Sequence, residues 1–219
     1  MNTNKNSYII IYSAILVVVV AFLLAFVYAA LKPQQDINVA LDKKKQILAS
    51  LNIRDLSDAE AAAKYTEVVE CDEIIDTNAT VINKGEKGGE NAGFKLNSAD
   101  LKEGKLAVYV CNVDGEKKYV IPVYGMGLWG SIWGYIALNA DKNTIYGAYF
   151  DHQGETAGLG AEIKDSKAWQ DLFKGKKIFS ADGAAVAIAV KKASDVKNPA
   201  SEVDAVTGAT LTSDGVSLM

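Results

Sequence analysis

The strongest feature of the hydrophobic pattern is an uncharged apolar run at residues 8–31. As an α-helix it would rise about 36 Å, which is enough to cross a bilayer with some tilt. Tyr8, Tyr12 and Tyr28 lie near its two ends, where amphipathic rings favour the headgroup region. A cleaved signal peptide is the alternative, but the run exceeds a typical signal core and no clear cleavage site follows it. We therefore predict a retained transmembrane helix after a short tail at residues 1–7.

Two segments beyond this run carry helical signals. Residues 37–51 space their apolar side chains as a helix would, with lysines between them, and predict a stalk. Ser57 and Glu60 form a capping-box pattern, so a second short helix is predicted at residues 57–65. The stretch 83–93 is rich in glycine and charge, has no periodicity and predicts an exposed loop.

The pattern changes to strands at residue 106. Alternating, β-branched and aromatic runs predict two hairpins, formed by residues 106–113 with 117–125 and by residues 131–139 with 144–152. Pro122 lies inside the second run, so that strand should be an edge or be interrupted there. A short helix at 166–173 and a strand at 185–190 are also predicted. The expected fold class is α+β, a mainly antiparallel sheet with flanking helices, preceded by one transmembrane helix.

Composition excludes several classes of protein. The chain has 219 residues, 49% apolar and 23% charged, which suits one anchor and one globular domain. Its net charge of -4 arises from acidic and basic residues that are mixed along the chain, so no nucleic-acid partner is expected. With a single histidine, His152, no metal site and no catalytic triad is expected. Phosphate-binding and dinucleotide-binding glycine motifs are absent from the sequence.

Orientation and redox compartment stay open at this stage. Only Lys5 and the terminal amine precede the apolar run, whereas Lys32 and the cluster at 43–45 follow it, so charge alone would leave the domain in the cytoplasm. Cys71 and Cys111 would pair in an oxidising compartment or remain buried thiols.

The segment DAVTGATLTS, residues 204–213, places several hydroxyl groups among small residues. Glycine permits unusual dihedral angles there, successive N–H groups can face an anion, and a threonine hydroxyl can be esterified by a phosphate. The bland alternative is a Ser/Thr-rich turn that caps a helix.

The full string resembles the flavinylation motif Asp-x-x-Ser/Thr-Gly-Ala-Thr of the FMN-binding domain family. This family occurs in the C subunit of sodium-translocating NADH:quinone oxidoreductases and in the related G subunit of the Rnf complex. The resemblance implies that a flavin transferase joins FMN covalently, by a phosphoester bond, to Thr210. Six residues of this segment are expected to form the cofactor site: Asp204, Thr207, Gly208, Ala209, Thr210 and Thr212.

Residues 154–160, GETAGLG, resemble the GETPGLG loop of the same family, with alanine where proline is usual. Glu155 would accept a ring N–H or hold the loop, although taken alone it would be an ordinary solvated carboxylate. Thr156 offers a hydroxyl hydrogen bond, Gly158 allows close backbone approach and Leu159 offers apolar contact.

Residues 124–134 resemble the glycine-rich aromatic stretch of the family. Leu128 and Trp129 are expected to lie against the flavin, since flavins favour apolar and aromatic walls. For Trp133, as for most large aromatic residues, packing in the core is the stronger interpretation, and His152 is expected to be a loop residue.

The resemblance implies an electron-carrying subunit, with no catalytic residue of its own, in a complex that oxidises NADH, reduces ubiquinone or menaquinone and pumps sodium ions. Its partners would be other membrane subunits and, during maturation, the flavin transferase. The chain would be a single-pass protein of the bacterial inner membrane with a periplasmic domain. Two alternatives remain: an Rnf-type subunit with covalent FMN, or a non-catalytic membrane-anchored binding domain.

The same resemblance assigns residues 101–219 to the FMN-binding domain and residues 32–100 to the stalk and the N-terminal part of the soluble region. Because the family continues with a further helix after the motif, the C-terminus is expected to be truncated.

Overall fold

A single long helix, α1 (Asn6–Ser50), begins the described chain, which in this computed structural model comprises residues 6–180, 183–185 and 188–219. Its apolar part has a mean hydropathy of 3.1 and is not buried in the protein, so α1 is long and apolar enough to cross a membrane. The predicted apolar helix and stalk are thus one element. The chain divides into two compact units, Met1–Asp42 and Lys43–Met219, and α1 contributes to both.

The second unit is built around an antiparallel sheet with the strand order β2-β1-β3-β4-β5-β6. Its strands are β1 (Val69–Ile75), β2 (Val81–Lys84), β3 (Leu106–Val113), β4 (Glu116–Met126), β5 (Ser131–Leu138) and β6 (Ile145–His152). A small parallel pair is formed by β7 (Ala189–Lys191) and β8 (Glu202–Asp204). The further helices are α2 (Asp58–Val68), α3 (Ser98–Lys102), α4 (Glu162–Asp165), α5 (Lys167–Asp171) and α6 (Thr210–Ser217), with 3-10 turns at Gly93–Lys95 and Ala193–Asp195. The α+β fold class is confirmed.

Both predicted hairpins are present as β3–β4 and β5–β6. At the first turn, Asp114 and Gly115 have φ values of 53° and 84°, as a tight hairpin turn requires. Strand β4 continues through Pro122 without interruption. Its pairing with β3 runs from Glu116 to Val120 and ends there, whereas Pro122 lies opposite Tyr135 of β5. The proline therefore occupies a stretch of β4 paired only with β5, where its missing N–H costs no ladder bond to a second neighbour.

The helix starts follow from their caps. Helix α2 has the predicted capping box, in which the Ser57 N–H donates to Glu60 Oε2 at 2.9 Å and the Ser57 side chain accepts from the Glu60 N–H. Helix α5 begins after Ser166, whose hydroxyl accepts from the Trp169 N–H at 3.2 Å. Both helices therefore begin at serines that the sequence marks.

The stretch 83–93 is only in part the exposed loop that its composition predicts. Its first residues complete β2, and Gly88, Gly89, Ala92 and Gly93 are buried. The reason is Asp72, fully buried on β1, whose carboxylate accepts the backbone N–H groups of three residues of this loop region. These donors are Asn91 at 3.4 Å, Ala92 at 2.7 Å and Phe94 at 2.9 Å.

Three strands were not predicted, namely β1, β2 and β8. Charged residues interrupt the apolar alternation of β1, and β8 has only three residues. The predicted strand at 185–190 includes residues 186 and 187, which lie outside the described residues. Its described end begins β7 at Ala189, and Ala185 forms an isolated bridge with Phe179.

An aromatic cluster fills the core between β5, β6 and the helices. Phe150 and Phe173 have ring centroids 5.0 Å apart, and Trp169 lies 5.2 Å from Phe173. Such tilted contacts are the favoured geometry for aromatic pairs.

Cys71 and Cys111 are both buried free thiols and not a disulfide, and burial raises the pKa of each.

Replacing Asp72 should destabilise the second unit strongly. In Asp72→Ala the loop N–H groups lose their acceptor inside the protein, and we expect a loss of about 3 kcal/mol in the free energy of unfolding. Urea unfolding in detergent, followed by tryptophan fluorescence, measures it. Asp165→Ala, which removes an exposed carboxylate, is the control, and an equal loss in both variants would contradict the assigned role of Asp72.

Burial lowers the pKa of Lys43 from 10.5 to about 8, although its ammonium group donates to the Phe94 carbonyl at 2.6 Å. Between these two values the unfolded chain binds a proton that the folded chain has released, so folding becomes more favourable as pH rises. We expect the stability of wild type relative to Lys43→Met to increase between about pH 8 and 10.5. A difference that is flat with pH, measured by urea unfolding of both proteins, would refute this.

Candidate functional site

The loop after β6 is shaped by its own backbone. The His152 Nδ1 atom accepts the Glu155 N–H at 3.1 Å, and the Thr156 carbonyl accepts N–H groups from Leu159 and Ala161, each at 3.1 Å. Gly158 has a φ of 73°, a value that favours glycine, while the side chain of Thr156 is exposed. These bonds direct the Glu155 side chain into the protein.

The Glu155 carboxylate joins three segments that are distant in sequence. It is 8% exposed, its Oε1 accepts the Trp129 N–H at 2.9 Å, and its Oε2 accepts the Thr212 hydroxyl at 2.6 Å. A buried carboxylate needs hydrogen bonds to offset its loss of contact with water, and each oxygen of Glu155 accepts one. Among the roles considered from sequence, these contacts match a residue that holds the loop and not a solvated carboxylate.

Two glycines make this burial possible. A Cβ atom on Gly127 would lie 2.5 Å from Glu155 Oε1. One on Gly160 would lie 2.4 Å from Glu155 Oε2 and 2.7 Å from the Thr212 hydroxyl oxygen. Side chains at either position would displace the carboxylate. Both glycines are therefore required by close packing and not by an unusual backbone angle.

The motif segment runs from β8 into α6. The Asp204 carbonyl accepts the Trp169 indole N–H at 2.7 Å, which fixes the start of the segment, whereas the Asp204 side chain is exposed. Gly208 turns the chain with a φ of 76°. Ala209 is the N-cap residue of α6 and offers no side-chain hydrogen bond, but Ser213 accepts the Val206 N–H at 3.2 Å. The segment is therefore held in a defined conformation at both ends.

The hydroxyl groups of α6 have different surroundings. Thr212 and Ser213 are buried, at 2% and 1% exposure, and both are hydrogen-bonded. Thr210, the first residue of the helix, is exposed, and its hydroxyl makes no hydrogen bond to any part of the chain that the structure describes. Thr207 is likewise exposed in the preceding turn. Thr210 is therefore the helix hydroxyl open to a reagent from solvent.

Helix α6 packs on the end of β4 through glycines. A Cβ atom on Gly215 would lie 2.2 Å from the Met126 carbonyl oxygen, and one on Gly125 would lie 3.0 Å from the Gly215 carbonyl oxygen. This backbone approach, together with the Glu155 carboxylate, fixes α6 beside the β4–β5 loop.

Large apolar side chains remain exposed on the three segments. They are Leu128 at 51%, Trp129 at 68%, Leu159 at 42% and Leu211 at 60% exposure. Leu159 reaches the motif segment, because a Cβ atom on Gly208 would lie 2.9 Å from its Cδ2 atom. Adjacent exposed apolar groups of this size are typical of a ligand-binding or protein-binding surface. Leu211 was missed by the sequence reasoning, although it directly follows Thr210.

Thr210 and Ser213 also line a cleft of about 430 Å³. Its charged lining residues are Lys191, Lys192, Lys197, Asp195 and Asp214. Lys191 forms an ion pair with Glu202 at 2.5 Å, and backbone N–H groups of Asn198 and Lys197, with Lys191, lower the pKa of Glu202 to about 2. The three lysines were also missed, and their only sequence signal is proximity to the motif.

Trp133 lies away from these groups, because its indole N–H donates to the Gln46 side chain at 3.1 Å. Within the described residues no group of three or more His, Cys, Asp or Glu side chains is placed to hold a metal ion.

Comparison with known proteins identifies this arrangement. The FMN-binding domain family matches residues 127–219, which contain the β4–β5 loop, the loop after β6 and the motif segment. The C subunit of the Na(+)-translocating NADH-quinone reductase from Haemophilus ducreyi is 33% identical over 92% of this chain and 83% of the relative. The corresponding protein from Vibrio anguillarum is 32% identical over 85% of this chain and 77% of the relative.

Solved structures agree with the sequence comparison. The C subunit of the same reductase from Parabacteroides distasonis superposes with a TM-score of 0.77 at 40% identity and covers 86% of this chain and 90% of that one. NqrC from Shewanella oneidensis gives a TM-score of 0.65 at 26% identity, covering 82% of this chain and 89% of that one. The chain therefore belongs to the NqrC family, the C subunits of the Na(+)-translocating NADH-quinone reductase, an oxidoreductase complex.

Proposed function

We propose that this chain carries FMN joined by a phosphoester bond to Thr210, and that it relays electrons between other subunits of a sodium-pumping NADH:quinone reductase. The observation that carries the proposal is the contrast among the hydroxyls of α6. Thr212 and Ser213 are buried and bonded, whereas the Thr210 hydroxyl is exposed at the start of the helix.

Attachment requires no redox change. The Thr210 hydroxyl oxygen would form a bond to the flavin phosphorus and lose its proton. The bond from phosphorus to the leaving group of a flavin phosphoanhydride would break, in a reaction performed by a flavin transferase. An exposed and unbonded hydroxyl suits this step, because it gives up no protein hydrogen bond when it reacts.

The residues around Thr210 fit a flavin phosphate. Leu128, Trp129 and Leu159 would form an apolar wall for the ring. In the cleft that Thr210 lines, Lys192 and Lys197 would face the phosphate charge, while Lys191 is paired with Glu202 and two aspartates also line the cleft. When bound, FMN would supply one- or two-electron redox chemistry. No acid–base pair of the protein is needed.

The remaining expected residues would act through the shape of the site. Gly208 and Ala209 would form the turn that leads to Thr210, and the exposed Asp204 and Thr207 side chains would border it. Thr156 and Gly158 would form the outer part of the Leu159 loop. Thr212 would support the site through Glu155 without touching the flavin.

The relay needs partners on the same side of the membrane as the domain. We place the domain in the periplasm and the apolar part of α1 in the inner membrane, a proposal that rests on the resemblance to the family. The other membrane subunits would provide the electron donor and acceptor, with NADH and ubiquinone as the outer reactants.

Removing the Thr210 hydroxyl should abolish covalent flavin. When the full chain is expressed with an active flavin transferase, the denatured gel band should fluoresce under ultraviolet light, and it should be dark without the enzyme. Thr210→Val should remain dark because the nucleophilic oxygen is missing.

The matched control is Thr77→Val, which removes an exposed threonine hydroxyl remote from the motif and should label as wild type does. Thr212→Val should still carry its label at position 210, as mass spectrometry of the peptide shows. A labelled Thr210→Val protein would refute attachment at Thr210 and indicate another acceptor residue. A dark wild type with active transferase would refute the proposal and favour a non-catalytic binding domain.

The apolar wall should govern access to the flavin without governing attachment. Leu128→Ala and Trp129→Ala should still give a fluorescent denatured band, because Thr210 is intact. In the native proteins, quenching of flavin fluorescence by iodide should increase, because less apolar surface covers the ring. Unchanged quenching in both variants would show that these side chains do not face the flavin.

A further inference from the structure

We infer that Glu155 is a positioning residue for flavin attachment, because its hydrogen bonds to Thr212 and Trp129 fix the first turn of α6 and thereby the place of the Thr210 hydroxyl. This inference rests on the proposed function. It assigns to Glu155 a role in presenting the acceptor oxygen and not a contact with the flavin.

The surroundings of the carboxylate support a specific link, hereafter the Glu155 tie, made by its hydrogen bonds to Trp129 and Thr212. In the described part of the chain, no lysine or arginine lies within ion-pair distance of Glu155, so hydrogen bonds alone offset the cost of burying its charge. Each oxygen accepts one bond from a different segment. A buried charge that links two elements in this way adds positional specificity at some cost in stability.

Helix α6 is held by several tertiary contacts, and the bond between Thr212 and Glu155 is the one that links its first turn to the loop after β6. The helix has eight residues, a length at which isolated helices are not stable in water, and its N-cap residue contributes no side-chain bond. Its first turn must therefore be held by tertiary contacts. Thr212 lies two residues after Thr210, so the bond from Thr212 to Glu155 restrains the turn that carries the acceptor hydroxyl.

Substitutions at position 155 can separate the effect of the two hydrogen bonds from the effect of the negative charge. Glutamine at position 155 would keep both connections, because its carbonyl can accept from the Trp129 N–H and its amide can donate to the Thr212 hydroxyl. Alanine would lose both. If the link positions Thr210, glutamine should recover most of what alanine loses.

The test measures the initial rate of flavin incorporation into the full chain, in detergent, with purified flavin transferase. We expect Glu155→Ala and Thr212→Val each to slow incorporation by about tenfold or more. The double variant should be no slower than Glu155→Ala, because Glu155→Ala already removes the bond that Thr212→Val removes. Glu155→Gln and Thr212→Ser should recover most of the lost rate. Asp165→Ala is the matched control, an exposed carboxylate on α4.

Urea unfolding of each variant accompanies the rate measurement. If Glu155→Ala fails to fold, two other comparisons test the positioning role. One compares the incorporation rates of Thr212→Val and Thr212→Ser, and the other compares Glu155→Gln with wild type. Wild-type rates in folded Glu155→Ala and Thr212→Val, or a loss in Glu155→Gln as large as that in alanine, would overturn the positioning role while leaving attachment at Thr210 intact. A wild-type chain that is never labelled would overturn both proposals.

Discussion

The site depends on one buried carboxylate. Glu155 receives the Trp129 N–H and the Thr212 hydroxyl, and thereby joins the β4–β5 loop, the loop after β6 and helix α6. Helix α6 is far in sequence from both loops, since Thr212 lies 57 positions after Glu155, so chain connectivity alone does not hold α6 beside them. A Cβ atom on Gly127 or Gly160 would come within 2.5 Å of a carboxylate oxygen, so the backbone lies close against the Glu155 side chain. The surrounding loops therefore have little freedom to place these groups elsewhere.

The sheet brings these loops together before Glu155 ties them. Strands β4, β5 and β6 are consecutive antiparallel neighbours, so the β4–β5 loop and the loop after β6 leave the sheet at the same end of the strands. Helix α6 packs against that end of the sheet through the close approach of Gly215 to the Met126 carbonyl oxygen. The site thus lies on loops, but rigid strands and a close backbone contact hold those loops.

Sequence reasoning succeeded where the signal was local. Strand alternation and the Ser57 capping box each act over a few positions, so the hairpins and the helix starts were predictable. It failed where a distant residue decides the outcome. The polar stretch at 83–93 is partly buried because Asp72, on a strand that was itself missed, accepts N–H groups at its C-terminal end. Likewise, the Glu155–Thr212 bond spans 57 positions, and no local pattern reveals it.

The exposed apolar wall explains why a covalent bond would suit this protein. The side chains of Leu128, Trp129 and Leu159 are between 42% and 68% exposed, so they could bury only part of a flavin ring. Sites that hold small molecules without a bond usually bury most of the ligand surface. A phosphoester at Thr210 would make retention independent of burial, and the ring could remain at the surface where a partner redox centre can approach. On this proposal, the Glu155 tie preserves the geometry of the shallow site, and the bond to Thr210 preserves its occupancy.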